Sequence, residues 1–136
     1  MTKYALCETP EDMEVVRDNC DAAQLQWIAL SSLCIPRLRK YRFEYHPITA
    51  YANSVQLFHE VSPRSEDIQK RIVAETEVWV KANHTEFARL DLPLLKFFAY
   101  YLTILFDGVC MRLFLLNQLF QKIEGEEVVL CRQDGV

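Results

Sequence analysis

The chain has 136 residues, a formal charge of −4, 25% charged and 51% hydrophobic residues. This excludes disordered and fibrous classes and fits one domain able to bury a core without disulfides or metals. A negative net charge gives no general attraction to nucleic acid.

Glycine occurs only at 108, 125 and 135, fewer than hairpins and bulges ordinarily demand of a β-rich protein. The expected fold is therefore all-α, a single-domain bundle of about five helices over residues 1–136. Cys7, Cys20, Cys34, Cys110 and Cys131 are odd in number, scattered and never paired as CxxC, so neither a disulfide framework nor a metal site is expected. Acidic residues Glu8, Glu11, Asp12 and Glu14 stand where a signal peptide needs a basic start and an apolar run. The expected location is the reducing cytoplasm.

Thr9-Pro10-Glu11-Asp12 predicts a helix start, with Thr9 accepting from an amide three residues on, Pro10 in the first turn and acids favoured by the dipole. That first helix reaches about Asn19. Asp21 is read as the cap of a second helix, with Ala22, Leu25, Ile28, Ala29, Leu33 and Ile35 on one side until Pro36 bends or ends it. His46-Pro47 is read as opening a third, where Ile48, Tyr51, Ala52, Val55 and Phe58 keep a 3.6-residue period. Ser62-Pro63 predicts the start of a fourth, whose stripe is Ile68, Ile72, Thr76, Trp79, Val80, Asn83 and Phe87, with Glu66, Lys70, Glu77 and Lys81 facing water. Residues 88–92 form a short turn, so the last two long helices are expected to run antiparallel. The tail, 126–136, is read as flexible, its Val128-Val129-Leu130 run docked or frayed.

The fifth helix, from Pro93 to Gln121, is the most informative. Its polar positions Lys96, Tyr100, Thr103 and Asp107 trace one narrow stripe, and nearly everything else around the first four turns is apolar. Such a helix is a core centre, a membrane span or an interface. Lys96, Asp107 and Arg112 interrupt the uncharged run that a span requires, so no membrane partner is expected. A small domain has little interior to hide a whole helix, which favours interface over the competing reading of a central core helix. Gly108, which costs about 1 kcal/mol relative to alanine inside a helix, points to close approach by another helix. The predicted dimer face is Phe97, Tyr101, Leu105, Gly108, Arg112 and Leu116.

His46, His59 and His84 lie in separate segments, and no HExxH, GxSxG, Walker or dinucleotide glycine pattern occurs; no catalytic residue and no cofactor are expected. The cluster Arg37, Arg39, Lys40 and Arg42, interleaved with Tyr41 and Phe43, reads either as a contact for phosphate or an acidic partner, or as a solvated helix end whose charges favour the negative pole. Trp27, Tyr51, Phe58 and Trp79 are the candidate lining of an apolar pocket for a small ligand.

From about Gln56 to Leu116 the chain resembles the carboxy-terminal ligand-binding and dimerisation domain of the tetracycline-repressor (TetR) family. The resemblance lies in the Ser62-Pro63 start, the amphipathic helix through Trp79 and Asn83, and the turn Phe87-Ala88-Arg89-Leu90-Asp91-Leu92. It continues through Phe98 to Leu105 into Phe106-Asp107-Gly108-Val109 and Arg112-Leu113. It implies that the last two helices join their symmetry mates in a four-helix dimer interface. The family's amino-terminal helix-turn-helix has no counterpart between Met1 and Pro47, so direct DNA reading is not expected. The sequence thus predicts a non-catalytic, homodimeric ligand-sensing domain for transcription regulation; the alternative is an adaptor or antagonist that binds another regulator through its last helices without a small ligand.

Overall fold

The amino-terminal third alternates strand and helix. In the computed structural model, which describes residues 1–90 and 94–130 apart from the side chains of Phe87, Ala88, Leu90, Leu94 and Phe97, the elements are β1 (Lys3–Cys7), α1 (Pro10–Asn19), β2 (Leu25–Ala29), α2 (Ile35–Lys40) and β3 (Tyr45–Pro47), then α3 (Ser54–Asn83), α4 (Thr85–Leu90), α5 (Ala99–Lys122) and β4 (Glu127–Leu130). Short 3₁₀ turns occupy Ala22–Gln24, Ser32–Cys34, Ile48–Tyr51 and Leu94–Phe98. Part of the turn expected at 88–92, and the Pro93 helix start, lie outside the described residues.

An all-α bundle is therefore wrong. The four strands form one parallel sheet in the order β3-β2-β1-β4, with Ala5 opposite Trp27, Leu6 opposite Ile28 and Leu130, and Ala29 opposite Pro47. Glycine scarcity excludes tight antiparallel hairpins, not parallel strands, whose crossovers are helices punctuated by caps and prolines. The expected second helix fails for a related reason. A strand buried on both faces reads as a continuous apolar run rather than an alternating one, and in β2 Leu25, Trp27, Ile28 and Ala29 are all buried. The expected third helix is β3 and a 3₁₀ turn, and α3 opens later, where Asn53 accepts from the Gln56 amide at 2.7 Å. Pro63 lies inside α3 instead of starting a helix. The tail is ordered at least as far as β4, which pairs with β1.

The chain divides into two compact units, Met1–Ala52 with Leu115–Val136, and Asn53–Phe114. In the first unit the pleat sorts side chains to two cores. On one face Ala5, Cys7, Trp27 and Ala29 bury against Met13 and Val16 of α1 and Cys34 and Leu38 of the α2 region. On the other, Leu6 and Ile28 bury against Leu119 and Ile123 at the end of α5.

The helix of the first crossover matches its expected bounds. Asp12 donates its amide to Thr9 Oγ1 at 3.2 Å, and the Thr9 amide donates to Asp12 Oδ2 at 3.0 Å, closing a capping box. The end of α2 is a Schellman turn: the Phe43 amide reaches the Leu38 carbonyl (3.1 Å) and the Arg42 amide the Arg39 carbonyl (3.0 Å). This places Arg42 at φ 58°, a left-handed conformation that costs a non-glycine residue about 1 kcal/mol. Replacing Arg42 by Gly should raise the unfolding free energy by roughly 0.5–1 kcal/mol in urea melts; unchanged or lower stability would contradict this account of the turn.

Candidate functional site

The helical unit is built around a polar seam. Ser65, fully buried on α3, donates its hydroxyl to Asp107 Oδ1 on α5. One turn along, the Gln69 amide donates to the Ala99 carbonyl at 3.3 Å, and Thr103 Oγ1 lies 2.9 Å from that carbonyl and 3.1 Å from Gln69 Oε1. Glu77 accepts from the Leu95 amide at 2.7 Å. Two positions of the stripe predicted from sequence thus bond to α3, Asp107 half-buried and Thr103 at the exposed rim of the seam, while Lys96 and Tyr100 face water. Ser65 and Gln69 escaped the sequence reading, although Ser62, Ser65 and Gln69 recur at spacings of three and four and so form a polar row able to meet Thr103 and Asp107.

With Thr103 and Asp107 engaged by α3, the opposite, oily sectors of α5 lie outward. Tyr101 is 69% exposed, Leu105 58% and Leu113 62%, and Phe98, Ile104 and Val109 are comparably open. Of the predicted dimer face, Tyr101, Leu105, Gly108 and Arg112 are exposed and Leu116 is half-buried, while the Phe97 side chain lies outside the described residues. By helical period this face is opposite Thr103 and Asp107. A Cβ built on Gly108 meets nothing within 4 Å. The close approach expected of that glycine is not supplied by the described residues of this chain. Towards its carboxy end the same sector of α5 carries Leu115, Leu119 and Ile123 just beyond it, all buried in the sheet unit.

The four aromatics proposed as one pocket do not share a wall. Trp27 is buried in one face of the sheet, stacked on Phe43 at 5.3 Å with its indole nitrogen donating to the Ala22 carbonyl at 3.2 Å. Tyr51 packs against the opposite face, where burial and the neighbouring Tyr4 raise its phenol pKa and Lys122 lies 5.3 Å from its ring. Phe58 and Trp79 are exposed on α3, about 30 Å apart at 1.5 Å per residue. Among the grooves within the helical unit, two share a residue. One, of about 420 Å³, is lined by Glu66, Gln69, Lys70, Lys96, Thr103 and Asp107 among others. The second, of about 390 Å³, is lined by Ser54, Leu57, Phe58, Val61, Ser62, Asp107 and Met111. Asp107 belongs to both.

Other candidates lose their chemistry on inspection. In the basic cluster, Arg37 pairs with Glu14 and Arg39 donates to Tyr45 Oη at 2.9 Å, while Lys40 and Arg17 lie over the Tyr41 ring; these contacts suit a structured helix end. At the mouth of β1 a phosphate cradle would need free amides, but the Glu8 and Thr9 amides point to the Asp12 carboxylate, and that of Asp12 to Thr9. Cys7 and Cys34 are buried side by side, and burial pushes the Cys7 thiol well above its ordinary range, the opposite of an activated thiolate. Among the described residues no group of His, Cys, Asp or Glu could hold a metal ion.

Searches against protein-family models, curated proteins and solved structures find no match for this chain.

The seam itself is open to test. Ser65→Ala should cost about 1–3 kcal/mol in thermal or urea unfolding, because it strips a half-buried carboxylate of its donor, whereas Ser65→Thr should recover part of the loss. An Ala variant as stable as the parent would mean that the hydroxyl and Asp107 do not hold the two helices together.

Proposed function

We propose that the chain is a non-catalytic regulatory domain that pairs with a second copy of itself through α5 and senses a small ligand beside the α3–α5 seam. The carrying observation is the exposed oily sector of α5. With Thr103 and Asp107 bonded to α3 on the other side, the sector bearing Tyr101, Leu105 and Gly108 lies open.

Phe98, Tyr101, Ile104, Leu105, Val109 and Leu113, each about half exposed or more, leave an apolar area on the order of 500–700 Å² at roughly 150–200 Å² per large side chain. That reaches the upper end for any patch on a typical monomer. It also matches the nonpolar share of one side of a standard interface, about 450 Å² of 800 Å². Gly108, bare on that face, would let the second backbone come close. The helical unit, Asn53–Phe114, covers nearly the same stretch as the resemblance to the TetR effector domain, so what that likeness implies about pairing applies to this unit and not to the sheet.

α5 is long and apolar enough to cross a membrane by length and composition, but two observations favour a protein partner. Leu115 and Leu119 are buried in the sheet unit, which leaves residues 99–114, about 24 Å of helix, against a hydrocarbon core of about 30 Å. Its seam partner α3 carries Arg64, Glu66, Asp67, Lys70, Arg71, Glu75, Glu77 and Lys81, a composition that hydrocarbon does not tolerate.

In the sensing step, a ligand favouring one arrangement of α3 and α5 shifts the population of dimer geometries that a downstream partner reads. Analytical ultracentrifugation at micromolar concentration should give a dimer. Leu105→Glu should weaken it by about thirtyfold or more, the effect of a 2 kcal/mol contact residue, with circular dichroism unchanged because Leu105 is 58% exposed; Gly108→Leu should weaken it too. A folded monomer at these concentrations would sink the pairing and move the reading to an adaptor for a different protein.

A further inference from the structure

We infer that the groove headed by Asp107 is a binding site for a lipophilic amine, a small molecule with an apolar body and one cationic nitrogen. The inference deepens the sensing half of the proposed function and does not need the dimer.

Four of the groove's lining side chains are apolar, Leu57, Phe58, Val61 and Met111, two are the hydroxyls Ser54 and Ser62, and Asp107 is the one charged residue among them. A volume of about 390 Å³ falls within the range of small-molecule sites. The carboxylate is held in place: the fully buried Ser65 hydroxyl donates to Oδ1, so the head of the groove does not swing away into water. A carboxylate beside apolar walls is under-solvated, and a cation brought to it is rewarded more than in bulk water. An anion there would meet like charge, and a neutral ligand would leave the carboxylate desolvated without a counter-charge. Phe58, 71% exposed, offers a ring face to an aromatic or alkyl body and to the cation itself. The groove is thus polarised, with oil along its length and one fixed negative charge at Asp107.

The test uses the whole chain and three probes of one shape: 4-phenylbutylamine, 4-phenylbutanol and 4-phenylbutyrate, titrated by calorimetry and by thermal melting. The amine should bind at least tenfold more tightly than either companion and raise the melting midpoint. Asp107→Asn, which keeps an oxygen for Ser65, should erase the amine's advantage and leave the alcohol's affinity within about twofold, showing that the preference is not general attraction to an acidic protein. Phe58→Ala, at an exposed position, should weaken all three probes while the chain stays folded. Equal affinities for the three probes, no measurable binding of the amine, or an amine that binds Asp107→Asn as tightly as the parent would overturn the assignment. Sedimentation of the same samples separates the two claims: a monomer that still selects the amine sinks the pairing and leaves this site standing, and a dimer that ignores the amine does the reverse.

Discussion

A polar side chain can be directed to water or to a neighbour, and in the helical unit α5 directs two of its scarce ones to a neighbour. Asp107 and Thr103 are taken up by Ser65, Gln69 and the Ala99 carbonyl. Helical geometry does the rest, because the sector opposite a stripe cannot also face α3. Bare aromatic and aliphatic side chains on α5, and open space over Gly108, are the same constraint seen from outside.

The contact with Ser65 also gives Asp107 two duties. Its hydrogen bond with Ser65 fixes the helices against each other, and its charge colours both grooves that it lines. Were the stripe turned to solvent, as its pattern alone suggests, the carboxylate would be one more hydrated surface charge, with little power to discriminate among ligands.

Much of this was legible in the residues, though not evenly. α1 could be read from Thr9-Pro10-Glu11-Asp12 because capping is local chemistry, complete within four residues. The exposed sector of α5 could be read because twenty-odd residues of period 3.6 leave little ambiguity. β2 could not, since Leu25–Ala29 satisfies a helical stripe and a doubly buried strand equally well, and only its pairing with β1, over twenty residues away, decides. Ser62-Pro63 misled by being a good local signature overruled by context: Asn53 caps α3 earlier, and a long helix accommodates the missing amide of Pro63. The pocket of four aromatics failed because side-chain type says what a residue can line, not what it will lie near. Trp27 and Tyr51 are separated by the pleat itself.

The sheet's edge strand comes last. β1 lies near residue 3 and its partner β4 near residue 127, joined across the ladder by Thr2 donating to Glu126 at 2.6 Å and by Lys3 with Glu127 at 2.9 Å. A ribosome therefore emits the entire helical unit before β1 can acquire its second neighbour, or the sheet its α5 cover. While β1, β2 and β3 wait, Leu6 and Ile28 have no Leu119 or Ile123 against them, and the half-built sheet carries a sticky face until the end of α5 arrives. Pairing strands 124 residues apart is slow, because the intervening chain must close before the contacts reward it.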